Sequence, residues 1–244
     1  MIRKMEHPEL FTVPDDTPFG CRLHAVREAY GLSGPFAQFW GQEGNGSVLG
    51  KLDDALVFED IRPECSEWKE FIRMLDAKTM LCSERAAKEL GKTPSARGEI
   101  MFRDNPETAN LPNGAVLNPG VREIYALLCV CRTESFVPPE FEPFYMDLSY
   151  RIRHGTAVTV GIPEGDALSA CAVCAAKTAR SAVVSAVAAV PEKRRQGCAR
   201  AAVEALVSQL SNRRIYIFRR DGENEEFYRA LGFQSYGRWA SIVS

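Results

Sequence analysis

No apolar run in the sequence is long enough to span a membrane, and Met1–Pro14 mixes charges with prolines where a secretion signal needs an apolar core. A cytoplasmic protein with no membrane partner is therefore expected. Charge of one sign is also missing in excess. Thirty Lys and Arg stand against 32 Asp and Glu, a formal net charge of −2, which excludes a general attraction to nucleic acid. Low-complexity tracts and exact internal repeats are absent as well. What remains, 45% apolar and 25% charged residues, is the balance of an ordinary globular protein, and 244 residues suffice for two small α/β domains that each bury a core.

The eight cysteines suit a reducing compartment as unpaired thiols. Cys82, Cys129, Cys131, Cys171 and Cys174 lie inside apolar segments, where cysteine packs as a small hydrophobe. Cys171 and Cys174 share the C-x-x-C spacing of zinc and redox sites, but in a strand that spacing turns the two side chains to opposite faces. No metal site is expected.

Apolar periodicity gives a mixed α/β chain. Leu23, Val26, Ala29 and Tyr30 recur at helical spacing within Cys21–Leu32. Phe36–Gln42 and Val48–Glu59 flank an Asn45-Gly46 turn and read as a hairpin. Trp68, Phe71, Ile72 and Leu75 mark a helix, Thr79–Cys82 a buried strand, Ser83 the cap of a helix to Leu90, and Glu99–Phe102 a further strand. Asp104–Gly120, dense in Asn, Pro and Gly, is the expected linker. It separates an N-terminal α/β domain over 1–110 from a second domain over 118–244.

The second half opens with helices Val121–Arg132 and Pro143–Arg153. Strands Ala157–Ile162, Ala167–Ala176 and Ser181–Val190 follow as a meander. After a basic loop come a helix from Ala199 to Leu210, a strand Ile215–Phe218, a helix Glu223–Leu231 and a closing strand from Phe233.

The loop between the third meander strand and the next helix reads Val190-Pro191-Glu192-Lys193-Arg194-Arg195-Gln196-Gly197-Cys198-Ala199-Arg200. Gly197 and Ala199 let a ligand approach the backbone, amides at the helix start and the helix dipole favour an anion, and Lys193, Arg194, Arg195 and Arg200 add positive charge. The same residues also suit a solvated basic turn before an ordinary helix, and the loop alone leaves both readings open.

Some thirty positions on, Phe227-Tyr228-Arg229-Ala230-Leu231-Gly232-Phe233 ends a helix at Gly232 and begins a strand. A strand, an R-x-x-G-x-A loop and helix, a strand, and a helix ending Y-x-x-x-G-F resemble the acyl-coenzyme A core of the GNAT N-acetyltransferase superfamily, from about Val121 to Ser244. The resemblance implies a mixed α/β (α+β) sheet flanked by helices. It also implies transfer of an acetyl group from acetyl-CoA to an amine by direct attack in a ternary complex. Pantetheine would pair with the backbone of Ala188, Ala189 and Val190, and the pyrophosphate would lie on Arg194, Arg195, Gln196, Gly197, Cys198 and Ala199, with Arg200 and Asn224 nearby. Tyr228 would protonate the departing thiolate, a transfer from a phenol of pKa ~10 to a thiol of roughly 8.5 that the site must assist.

Two positions depart from the family pattern. Asp221 stands where many members carry an Asn, leaving Asn224 as the substitute, and neither Ala167–Ala176 nor Ser181–Val190 contains a carboxylate to act as general base. Glu140 and His154, with Glu142 and Asp147, are the candidates before the meander. A module that binds coenzyme A without turnover is the other reading this lack leaves open. Residues 1–103 carry none of the motif, which suggests a degenerate GNAT-like partner domain. The acceptor amine stays unidentified, and a homodimer is compatible with the core.

Overall fold

The computed structural model describes residues 1–32, 34–42, 44, 46–61, 66–105, 110–134 and 136–243. In chain order the elements are β1 (Ile2–Lys4), α1 (Pro18–Tyr30), β2 (Ala37–Gln42), β3 (Val48–Leu52), β4 (Ala55–Glu59), α2 (Ser66–Met74), β5 (Thr79–Ser83), α3 (Glu84–Glu89), β6 (Ala96–Asn105), β7 (Val116–Leu117), α4 (Val121–Val130), α5 (Phe141–Arg153), β8 (Val158–Glu164), β9 (Ala167–Lys177), β10 (Ser181–Ala189), α6 (Cys198–Ser208), β11 (Arg213–Arg220), α7 (Glu225–Ala230) and β12 (Gln234–Val243). They form two compact units, one of Met1–Phe102 with Phe218–Ser244 and one of Arg103–Ile217.

In the first unit the strand order is β1-β2-β3-β4-β5-β12-β6. All neighbours are antiparallel except β4 and β5. Side chains alternate across this sheet, so β2 sends Ala37 and Phe39 into one core with Leu23 and Val26 of α1, and Trp40 into another with Trp68 and Ile72 of α2. Strand β12 lies between β5 and β6, with Ala240 opposite Cys82 on one side and Arg97 on the other. Ala240 and Ile242 thereby complete the α2 core. The run Val48–Glu59, read as one strand, is two: the chain turns at Asp53, whose φ is 51°, and Leu52 faces Ala55. Of the hairpin turn before it, Asn45 lies outside the described residues.

Helix α1 starts where Thr17 Oγ1 accepts the Gly20 amide at 3.1 Å, with Pro18 at the first helical position. Glycine is required at position 20, since a Cβ there would lie 1.9 Å from the Pro14 carbonyl oxygen. Ser83 Oγ caps α3 in the same way through the Ala86 amide at 3.0 Å.

The second unit has the order β11-β10-β9-β8-β7, antiparallel but for the parallel pair β10 and β11. One face carries α4 and α5, whose Ile124, Leu127, Leu128 and Leu148 pack on Cys171 and Val173 of β9. Arg151, 7% exposed, ties α5 to that strand by donating to Asp147 Oδ1 at 2.7 Å and the Ala175 carbonyl at 3.1 Å. Helix α6 packs on β8, β9 and β10. Asn105 Nδ2 satisfies its last turn by donating to the carbonyls of Val207 (2.9 Å) and Leu210 (3.0 Å). The described cysteines are all free thiols. Cys82, Cys131, Cys171 and Cys174 are buried as expected, whereas Cys129 is exposed.

Candidate active site

Strand β10 pairs with β11 only from Ser181 opposite Arg214 to Val184 opposite Ile217, yet it continues against β9 to Ala189 opposite Ala170. Just beyond, the Val190 amide donates to the Ser169 carbonyl at 2.9 Å. Opposed residues of an antiparallel ladder alternate between hydrogen-bonded and non-bonded pairs. From Val190 backward, therefore, Val187 and Ala189 turn their peptide groups to the edge that β11 has left. Residues Ala186–Val190 are only half-buried. Of the three residues expected to offer backbone groups, Ala189 faces this edge and Ala188 faces β9. Val190 is committed on both sides, its carbonyl accepting the Lys193 amide at 2.9 Å.

The chain then makes a single turn at Pro191–Lys193 and enters the loop. Arg195 (φ 61°) and Gly197 (φ 86°) both adopt left-handed backbone. Gly197 is the residue before α6, and a Cβ built on it meets nothing within 4 Å. The left-handed geometry favours glycine here, and the space beside it is open. The amides of Gly197, Cys198 and Ala199 precede the first intrahelical bond, from Ala201 N to the Gly197 carbonyl at 2.9 Å. The four basic side chains divide: Lys193 pairs with Glu164 at 2.5 Å and Arg200 with Glu204 at 2.8 Å, while Arg194 and Arg195 make no ion pair among the described residues. Gln196 points back, its Nε2 donating to the Glu192 carbonyl at 2.7 Å. Free first-turn amides, an open glycine and two uncommitted guanidiniums fit a pyrophosphate-sized anion.

Tyr228 belongs to the first unit. Its ring is 8% exposed between Phe227 and Phe233, at centroid distances of 5.0 and 6.0 Å. Burial, with Glu223 nearby, pushes its phenol up to about 12. Asp221 is held by Arg238 at 2.6 Å, and Asn224 precedes α7 in left-handed backbone with no capping bond from its side chain. Among the base candidates, Glu140 is exposed at the start of α5 and Glu142 is exposed within it. Asp147 is taken by Arg151. His154 is exposed at the end of α5, its ring stacked on Tyr150 at 4.0 Å and Nδ1 against the Tyr150 carbonyl at 2.9 Å.

Sequence reasoning missed Cys131 at the β10 edge. Its thiol donates to the Ala189 carbonyl at 3.2 Å, and burial raises its pKa. Nothing in an apolar helix end signals such a contact. Also missed was the Arg219 knot of the first unit: Arg219, 8% exposed, pairs with Glu99 and with Glu225 (2.8 Å), and Glu99 also accepts from Ser235.

This geometry can be set beside known proteins. Residues 121–233 match the model of the Acetyltransferase (GNAT) family. Over these residues the chain matches a GNAT acetyltransferase domain. A tandem GNAT protein from the clavulanic acid biosynthesis pathway, solved without AcCoA, matches over 100% of this chain and 98% of its own, with a TM-score of 0.56 at 13% identity. A GCN5-related N-acetyltransferase from Sphaerobacter thermophilus covers 98% and 94% (TM-score 0.52, 16% identity), and one from Kribbella flavida 82% and 87% (0.55, 16%). At such identities the likeness is one of fold, and it bears out the expected mixed α/β GNAT architecture. No curated protein matches the chain. Among the described residues no helix is long and apolar enough to cross a membrane, and no cluster of side chains is suited to a metal ion. The GNAT family and fold are those of acyl transfer.

Proposed function

We propose that the GNAT domain, taken as residues 118–244, binds acetyl-CoA and passes its acetyl group to an amine within a ternary complex, residues 1–110 acting as a degenerate GNAT-like partner domain. The observation that carries this reading is the parting of β10 from β11 after Val184, followed directly by the loop whose Gly197 opens the start of α6. The exposed edge at Val187 and Ala189 would hold the pantetheine amides. The amides of Gly197, Cys198 and Ala199, with Arg194 and Arg195, would hold the pyrophosphate. A thioester bound there supplies the activated acyl carbon. What the chain adds is orientation and a proton: the family resemblance makes Tyr228, kept neutral by burial, the candidate donor to the leaving sulfur. No carboxylate lies on β9 or β10 to take the proton of the amine, so the base is Glu140 or His154, directly or through water, or the amine enters unprotonated. Release of free thiol from acetyl-CoA in the presence of a panel of primary amines tests the reading. Turnover that needs an amine supports direct transfer. Tight binding without turnover for every amine would leave a coenzyme-binding module instead.

A further inference from the structure

The first unit holds a cavity of about 860 Å³ that the proposed reaction does not use. Phe19, Ile100 and Tyr236 give it apolar walls, and its polar lining comes from the ends of β4 and β5, from α3 and the turn after it, and from β6 and β12. That volume suits a small molecule, and a few converging polar groups on apolar walls are what small-molecule sites have in common.

Most of the charges lining it are already spent on one another. Asp60, its side chain 2% exposed, accepts Arg85 at 2.7 Å and Ser83 Oγ at 2.8 Å. Glu84 accepts Arg238 at 2.6 Å and lies 3.7 Å from Arg97. Three groups are left over. Lys88, near the end of α3, and Lys92, just beyond the left-handed Gly91, have no ion-pair or side-chain hydrogen-bond partner among the described residues. Glu59, 8% exposed, uses Oε2 alone, accepting Thr17 Oγ1 at 2.5 Å and the Gly20 amide at 2.8 Å. Its Oε1 accepts nothing among the described residues and keeps some access to solvent, so a donor entering the cavity can reach it in place of water. Burial pushes this carboxyl up to about 7, against the pull of the Thr17 and Gly20 bonds. The cavity therefore presents two spare cations and one carboxyl oxygen without a protein partner.

We propose that this cavity is a second binding site, for a small organic anion whose carboxylate or phosphate meets Lys88 and Lys92 while its hydroxyl or amino group donates to Glu59 Oε1. The anion neutralises the residual positive charge, and the donor satisfies the orphan oxygen. Neither alone does both. This site stands on residues of the first unit and is independent of the coenzyme site.

The test uses the full chain, labelled with ¹⁵N and followed by amide chemical shifts at about pH 8, above the value of about 7 to which burial raises Glu59, so that its Oε1 is ionised and accepts. Glycerate and glycerol 3-phosphate share their hydroxyls and differ in the anion. Propionate lacks the donor, and glycerol lacks the anion. One or both of the first pair should shift the signals of Lys88, Lys92 and Tyr236 saturably, with Kd on the order of 1 mM for so small a probe. Whichever binds identifies the anion as carboxylate or phosphate. Propionate and glycerol should each bind at least about fivefold more weakly, and the variant K88A/K92A, altered only at the rim, should lose about tenfold. The proposal is overturned if neither anion gives saturable shifts up to about 10 mM, if propionate binds as well as glycerate, or if the double variant binds as tightly as the parent.

Discussion

Val184 is the last residue of β10 to pair with β11, and its partner there is Ile217. Beyond this pair the β10 backbone has a strand on one side only, and the Ala189 amide is directed to the free edge. Replacing Ala189 with proline removes that donor without removing a β9 bond, because ladder bonds at this point run through Ala188 and Val190. Coenzyme A affinity should fall about tenfold, the equivalent of one hydrogen bond of about 1.4 kcal/mol, while the thermal midpoint stays within a few degrees. Calorimetric titration beside a melting curve checks both.

Tyr228 is the proposed proton donor to the leaving sulfur. With its phenol at about 12, it remains protonated across the usable pH range, so its titration should put no falling limb on kcat below roughly pH 10. Tyr228→Phe should lower kcat on the order of a hundredfold with little change in KM for acetyl-CoA. A falling limb near pH 8 to 9 that disappears in this variant would contradict the raised pKa, and an unchanged kcat would remove Tyr228 from the chemistry.

Glu59 makes stability depend on pH. Its folded-state pKa of about 7 lies above the ordinary 4.5 because burial outweighs its bonds to Thr17 and Gly20, with Asp60 raising it further and Arg85 opposing. The folded protein thus holds a proton that the unfolded chain releases. The contribution is whole below pH 4.5 and is lost as pH rises through 7, on the order of 3 kcal/mol for one carboxyl shifted this far. Glu59→Gln should flatten the denaturation midpoint across this window. Parallel slopes in parent and variant would contradict the assignment.

Strand β12 ties the end of the chain to its beginning. A fragment of residues 118–244 keeps β12 yet lacks β5 and β6, so Ala240 and Ile242 lose the core they complete. We expect residues 234–243 of this fragment to exchange their amide hydrogens without protection, whereas the core around Ile124, Leu148 and Val173 stays protected. Protection of 234–243 in the fragment would mean that the second half supplies β12 with other partners.

Much of this was legible in the sequence. Helices α4 to α6 and the meander fall within a few residues of their apolar patterns, because each buries one face and the period shows it. Strand β1 gives no signal, since Ile2–Lys4 is too short and too charged to alternate. The place of β12 is a matter of long-range pairing, which no local period encodes. At the site, the loop Arg194–Ala199 was visible through its spacing, but the free backbone groups at the end of β10 were expected only through the family resemblance. Val190 illustrates the limit: its identity marks the strand end, while the commitment of its amide to Ser169 is set by register. Glu59 was overlooked because a glutamate ending a strand ordinarily faces water.

The central claim is that the start of α6 receives the coenzyme's pyrophosphate. It is tested most directly by titrating acetyl-CoA into the full chain and into two variants, Gly197→Glu and Gly197→Asn. Asparagine tolerates left-handed backbone and adds no charge, so it measures the effect of conformation alone. Glutamate adds an anion where the phosphates belong. The account predicts binding at micromolar concentration by the parent, retained within about fivefold by Gly197→Asn and weakened at least about thirtyfold by Gly197→Glu. Folded parent protein that does not bind, or a glutamate variant that binds as the parent does, would contradict it.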